Sequence, residues 1–93
     1  MSQRIAVVTG GIGGLGSEIC RYLARAGCQV IAADLPGHDE RIAQFESNMR
    51  EHGERIKFAA LDVGDFDHCA TMISTLERDY GSVDILVNAA GIT

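Results

Sequence analysis

Thr9-Gly10-Gly11-Ile12-Gly13-Gly14-Leu15-Gly16 decides how this 93-residue chain folds. Five of the seven residues from Gly10 to Gly16 are glycine, and they follow the apolar run Ile5-Ala6-Val7-Val8. An amphipathic segment, Ser17 to Ala26, comes next. Strand, glycine turn and helix in that order form the setting in which glycines can cradle a pyrophosphate. Backbone without Cβ atoms approaches the anion closely. The helix N-terminus adds unpaired N–H groups and a partial positive charge. The stretch therefore points to a nucleotide cofactor.

Outward from this turn, strand and helix patterns alternate. The first strand is expected at Arg4–Thr9. The first helix places Leu15, Ile19 and Leu23 on one face, and Gly27 stops it. Gln29–Ala33 reads as a second strand ending at Asp34, and Pro36-Gly37 breaks the chain after it. A second helix is expected over Asp39–His52, with Ile42, Phe45 and Met49 facing inward. A third strand, Ile56–Leu61, ends at Asp62. Asp65 is placed to cap a third helix whose inward stripe is Phe66, Cys69, Ile73, Leu76 and Tyr80. Gly81 closes that helix, and Asp84–Asn88 is the fourth strand. Near-continuous apolar strands joined by helices predict an α/β fold, a doubly wound parallel sheet covered on both faces. Right-handed crossovers give the strand order 3-2-1-4, with a ligand crossing the carboxyl ends of strands 1 and 4.

Four places in this pattern carry chemistry. In the glycine turn, Gly10, Ile12, Gly13, Gly14, Leu15 and Gly16 are the candidate cofactor contacts. Gly14 is read as the close approach to phosphate, and Gly16 as the packing of helix on strand. Asp34, 18 residues after Gly16 and at the end of strand 2, is placed to accept from the adenosine ribose hydroxyls. A 2′-phosphate would face it as a like charge, at a cost of about 4 kcal/mol per unit charge for a separation of about 4 Å and an effective dielectric of about 20. NAD(H) is therefore favoured, with NADP(H) admitted if Arg41 reaches round to a 2′-phosphate. Asp62 and Val63 end strand 3, where an adenine ring could rest. Asn88, Ala89, Ala90 and Gly91 follow an apolar strand; the asparagine is expected to be buried and partnered, and the small residues to leave room for a ligand.

The remaining composition is bland. Net charge is −5, with a pI near 4.9, which argues against nucleic acid as a partner because phosphate backbones call for a basic face. The acidic residues Asp39, Glu40, Glu46, Glu51, Glu54, Asp65 and Asp67 are scattered on helix faces. No apolar run has membrane-spanning length, and Met1-Ser2-Gln3-Arg4 leads directly into a strand rather than a leader, so a cytoplasmic chain with no membrane partner is expected. Cys20, Cys28 and Cys69 lack zinc spacing and read as small hydrophobes. His38, His52 and His68 read as surface residues, and no metal is expected.

Together the motifs resemble the short-chain dehydrogenase/reductase family over Arg4 to Thr93. Thr9-Gly10-x3-Gly14-x-Gly16, Asp62 and Asn88-Ala89-Ala90-Gly91 match its glycine turn, its adenine-contacting aspartate and its Asn-Asn-Ala-Gly motif. Ala89 stands where a second asparagine is usual. The resemblance implies a Rossmann-type fold, with residues 1–93 as the dinucleotide-binding part of one reductase domain. It implies that Gly14 and Leu15 line the phosphates, Ile12 and Gly13 the approach to the nicotinamide, Asp62 and Val63 the adenine, and Asn88 to Gly91 the ribose. The paired glycines and the ending Gly91-Ile92-Thr93 look like acetoacetyl-CoA and other 3-oxoacyl-thioester reductases, which implies an acyl-thioester substrate and a homo-oligomeric parent. That branch typically uses NADPH, and Asp34 departs from it. The family's catalytic Tyr-x3-Lys pair is absent from these residues: Ala26 follows Tyr22 at that spacing, and Asp84 follows Tyr80. The 93 residues alone are thus expected to bind cofactor without catalysis. A non-catalytic dinucleotide-binding module and an S-adenosylmethionine-dependent methyltransferase are the alternatives. The glycine spacing and Asn88-Ala89-Ala90-Gly91 argue against the methyltransferase.

Overall fold

The structure, a computed structural model, describes residues 4–37, 39–62 and 64–89. Four strands, β1 (Ile5–Thr9), β2 (Gln29–Asp34), β3 (Ile56–Ala60) and β4 (Ile85–Asn88), form one parallel sheet in the order β3-β2-β1-β4. Three helices, α1 (Gly14–Arg25), α2 (Asp39–Asn48) and α3 (Phe66–Tyr80), connect them. This is the doubly wound order that the alternating pattern predicts.

Side-chain alternation divides the core between the two faces of the sheet. Ala6, Val8, Val30 and Ala32 pack with Cys20 and Ala24 of α1 and Phe45 of α2. Val7, Ile31 and Ala33 pack with Leu61 and with Leu76 of α3. β1 is buried throughout, as is β2 up to Ala33, which is why they read as unbroken apolar runs. The outer strands are half covered. Lys57 and Ala60 of β3 and Leu86 and Asn88 of β4 are exposed, so coverage of both faces holds at the centre of the sheet only.

Several boundaries differ from the sequence expectation. α1 begins at Gly14 rather than Ser17: Gly13 is extended, and its carbonyl accepts the first intrahelical bond from Ser17 N–H at 2.8 Å. Its buried stripe is Gly16, Cys20 and Ala24, one residue round from Leu15, Ile19 and Leu23. Small residues face the sheet and let the helix sit close, while Ile19 and Leu23 flank the contact and Leu15 is exposed. The helix ends in a Schellman arrangement around Gly27 (φ 97°), where Cys28 N–H donates to Leu23 O and Gly27 N–H to Ala24 O.

α2 stops at Asn48, and a 3-10 helix, Arg50–Arg55, replaces its expected last turn. Gly53 within it takes a φ of 57° that no helix continues. This change of helix type turns His52 inward. Its side chain is only 10% exposed, and its Nε2 is buried without a hydrogen bond among the described residues, correcting its reading as a surface residue. His68 is exposed as expected; His38 lies outside the described residues. Asp65 caps α3 by accepting from His68 N–H at 3.0 Å. Phe66 does not join the inward stripe. It is 82% exposed at the first residue of α3.

Candidate functional site

Parallel register brings the candidate residues to one rim. Thr9 of β1 aligns with Ala33 of β2 and Asn88 of β4, and Asp34 aligns with Ala60 of β3. The carboxyl ends of all four strands therefore share the edge on which the glycine turn sits.

Gly10 opens the turn with a φ of 70°, a conformation that disfavours a side chain. Gly13 N–H donates back to Gly10 O at 3.2 Å, and Gly11 N–H donates to Ala33 O at 3.1 Å. The N–H groups of Gly14, Leu15 and Gly16 precede the first helical bond of α1 and face out of its N-terminal end. Gly14 and Leu15 are exposed there, and no acidic residue occupies the first turn to compete with an anion. Nothing lies within 4 Å of where a Gly14 Cβ would stand. That opening, with the dipole behind it, fits a phosphate group.

The other glycines serve the turn itself. A Cβ on Gly16 would stand 2.1 Å from Gly10 O; Gly16 thus lets the helix fold back over its own turn, a closer contact than the strand packing expected of it. Packing against the strands belongs to Gly11, whose Cβ would meet Ala32 Cβ and Val8 O at 2.8 Å. Sequence reasoning passed over Gly11, since its neighbour on β2 is visible only in three dimensions.

Asp34 stands beside the turn. Its Oδ2 accepts from Ile12 N–H at 3.4 Å and its Oδ1 from Leu35 N–H at 2.8 Å. A carboxylate has about four lone-pair sites, so two remain for hydroxyl donors. Ile12 is thereby drawn to the β2 side: it packs on the core and shares a groove with Glu40, Arg41 and Gln44 of α2. Its amide is held by Asp34.

Asp62 follows β3, and its Oδ1 accepts from Gly64 N–H at 2.9 Å while its carbonyl accepts from Asp65 N–H at 3.0 Å. It builds the turn that starts α3 and remains exposed at the rim. Val63 lies outside the described residues. At the end of β4, Thr9 Oγ1 donates to Asn88 Oδ1 at 3.0 Å, and Ala89 N–H donates to Thr9 O at 3.0 Å. Asn88 has the partner expected of it but is exposed rather than buried, because β4 is an outer strand of the described sheet. Ala89 is buried; Ala90 and Gly91 lie outside the described residues.

Two groups of residues stand apart from this rim. Lys57 Nζ meets Tyr80 Oη at 3.3 Å and Glu54 Oε2 at 3.0 Å, and the Glu54 bond followed by that to Tyr80 raises its pKa. This lysine–tyrosine pair joins the start of β3 to the end of α3, the amino edge of the sheet, opposite the glycine turn. Cys20 and Cys28 are buried and Cys69 half-buried, all three reduced. Among the described residues no His, Cys, Asp and Glu cluster could hold a metal, and no helix is long and apolar enough to cross a membrane.

Comparison with known proteins agrees with this geometry. The short chain dehydrogenase family profile matches residues 4–93. Nodulation protein G of Azospirillum brasilense is 48% identical over 93 residues, covering 100% of this chain and 37% of that protein. Acetoacetyl-CoA reductase of Allochromatium vinosum is 42% identical over 90 residues, 97% of this chain and 37% of that protein. A point variant of actinorhodin polyketide ketoreductase, crystallised with NADPH, superposes with a TM-score of 0.79 at 30% identity over 95% of this chain and 34% of its own. The chain thus spans little more than a third of the relatives that it matches. With the glycine turn, the strand order and the match from residue 4 to residue 93 in agreement, this chain belongs to the short chain dehydrogenase family.

Proposed function

We propose that this chain holds the dinucleotide of an NAD(P)-dependent reductase acting on a 3-oxoacyl thioester such as acetoacetyl-CoA. The observation that carries the reading is the open N-terminal end of α1 above Gly14, set beside the free lone pairs of Asp34. Gly14 and Leu15 N–H groups bind the pyrophosphate, Asp34 binds the adenosine ribose, and Asp62 with Val63 borders the adenine. Asn88 to Gly91 borders the nicotinamide-side ribose. When bound, the nicotinamide supplies hydride to the carbonyl carbon. The ribose-facing carboxylate of Asp34 supports NAD(H) over NADP(H), although the polyketide ketoreductase relative was crystallised with NADPH. The relatives named acetoacetyl-CoA reductase support the thioester substrate, and a cytoplasmic homo-oligomer is the form proposed for the working enzyme.

A second reading is a dinucleotide-binding module without catalysis; Lys57, the one lysine of these 93 residues, pairs with Tyr80 at the edge opposite the glycine turn. The reading frame beyond Thr93 and an assay of its full product separate the two. A downstream Tyr-x3-Lys with NADH-dependent consumption of acetoacetyl-CoA supports the reductase. A product that binds NADH and reduces no 3-oxoacyl thioester supports the module.

A further inference from the structure

The peptide unit between Gly11 and Ile12 is held from both sides. Its carbonyl oxygen, on Gly11, lies 3.4 Å from Ser17 Oγ and 3.9 Å from Cys20 Sγ, both donors on α1. Its N–H, on Ile12, donates to Asp34 Oδ2 at 3.4 Å. In a trans peptide these two groups point in opposite directions, and among the described residues every peptide bond is trans. Rotating the unit to release one bond therefore breaks the other. The preceding amide, Gly11 N–H, is already fixed to Ala33 O, and the space for a Gly11 side chain is filled by Ala32 and Val8. The unit has one orientation left to it. Burial keeps the Cys20 thiol protonated, with its pKa pushed up to about 12, so it remains a donor at any pH at which the chain works.

We propose that Ser17 and Cys20 are positioning residues for recognition of the adenosine ribose: by holding the Gly11 carbonyl they direct Ile12 N–H at Asp34 and so set the carboxylate that receives the cofactor. The inference rests on the reading of Asp34 as the ribose acceptor. It assigns a role to a half-buried serine and a buried cysteine.

The test uses the full chain and the variants Ser17→Ala, Ser17→Ala with Cys20→Ala, and Ser17→Thr, which keeps the hydroxyl. Two readouts are taken: the Ile12 amide resonance, and calorimetric Kd values for NADH and NADPH. The double variant is expected to shift the Ile12 amide upfield and to weaken NADH about tenfold, or about 1.4 kcal/mol. NADPH should weaken less, so the ratio of the two Kd values narrows; Ser17→Thr should keep both readouts at their original values. If the double variant loses its fold, Ser17→Ala carries the same test, since Ser17 is only half-buried and lies outside the core. An unmoved Ile12 resonance, or an equal loss for both cofactors, in a folded variant would overturn the inference while leaving the dinucleotide reading intact. Failure of the unaltered, folded chain to bind NADH would overturn both.

Discussion

Thr9 and Asn88, 79 positions apart, are joined by a hydrogen bond of 3.0 Å from the threonine hydroxyl to the asparagine Oδ1. This bond ties the end of β1, where the glycine turn begins, to the end of β4, where the small-residue motif begins. A double-mutant cycle of Thr9→Val and Asn88→Ala measures it. Each single change is expected to lower unfolding free energy by about 1 kcal/mol, and the double change by less than their sum. Denaturant unfolding followed by circular dichroism gives the result.

Gly14 and Gly16 should respond in opposite ways. Ala at Gly16 drives a Cβ to 2.1 Å from Gly10 O, which should cost about 2 kcal/mol or more and disorder the turn. Ala at Gly14 meets nothing within 4 Å and should leave the fold unchanged or more stable by about 0.5 kcal/mol. Valine at Gly14 should keep the fold while filling the opening over the helix end. Melting curves beside NADH titrations separate loss of fold from loss of the phosphate contact.

Stability should fall on the alkaline side. The Cys20 pKa is raised from 9.0 to about 12 by burial, so between those values the unfolded chain releases a proton that the folded chain keeps. The folded state then binds more protons, and its stability declines as pH rises, by about 1.4 kcal/mol per pH unit through that window. Below pH 9 the contribution is fully present. Cys20→Ala should flatten this part of the profile, and the difference between the two unfolding curves from pH 8 to pH 11 isolates it from other titrating groups.

Leu86 is 65% exposed on an outer strand. It lines an apolar cleft of about 200 Å³ with Val7, Leu61, Met72 and Ile73. Exposed apolar edge strands promote association. Prepared as these 93 residues alone, the chain should self-associate and bind a hydrophobic dye. Leu86→Lys should reduce both. Light scattering across a concentration series that shows a monomer before the substitution would count against this account.

Strand order and the cap at Asp65 were legible in the sequence because apolar periodicity and cap chemistry act locally. Glycine signals a break, which places Gly14 to Gly16 in the turn, yet glycine is compatible with the first turn of a helix, and at Gly16 the helix needs the missing side chain, since a Cβ would stand 2.1 Å from Gly10 O. The inward turn of His52 is not legible, because a switch from α to 3-10 geometry leaves no periodic mark. Asn88 read as buried since the strand before it is apolar, but an outer strand exposes alternate residues. The position of Asp34 at the end of β2 is legible in the apolar run that precedes it; its bond to Ile12, across 22 positions, is not, because it arises from tertiary packing of the turn on β2.

The most direct measurement is a calorimetric titration of the folded chain with NADH, NADPH and S-adenosylmethionine, repeated on Gly14→Val. The account predicts saturable binding of NADH, weaker binding of NADPH, none of S-adenosylmethionine, and loss of NADH binding in the variant. A folded chain that ignores NADH, or NADH binding that survives Gly14→Val unchanged, would contradict it.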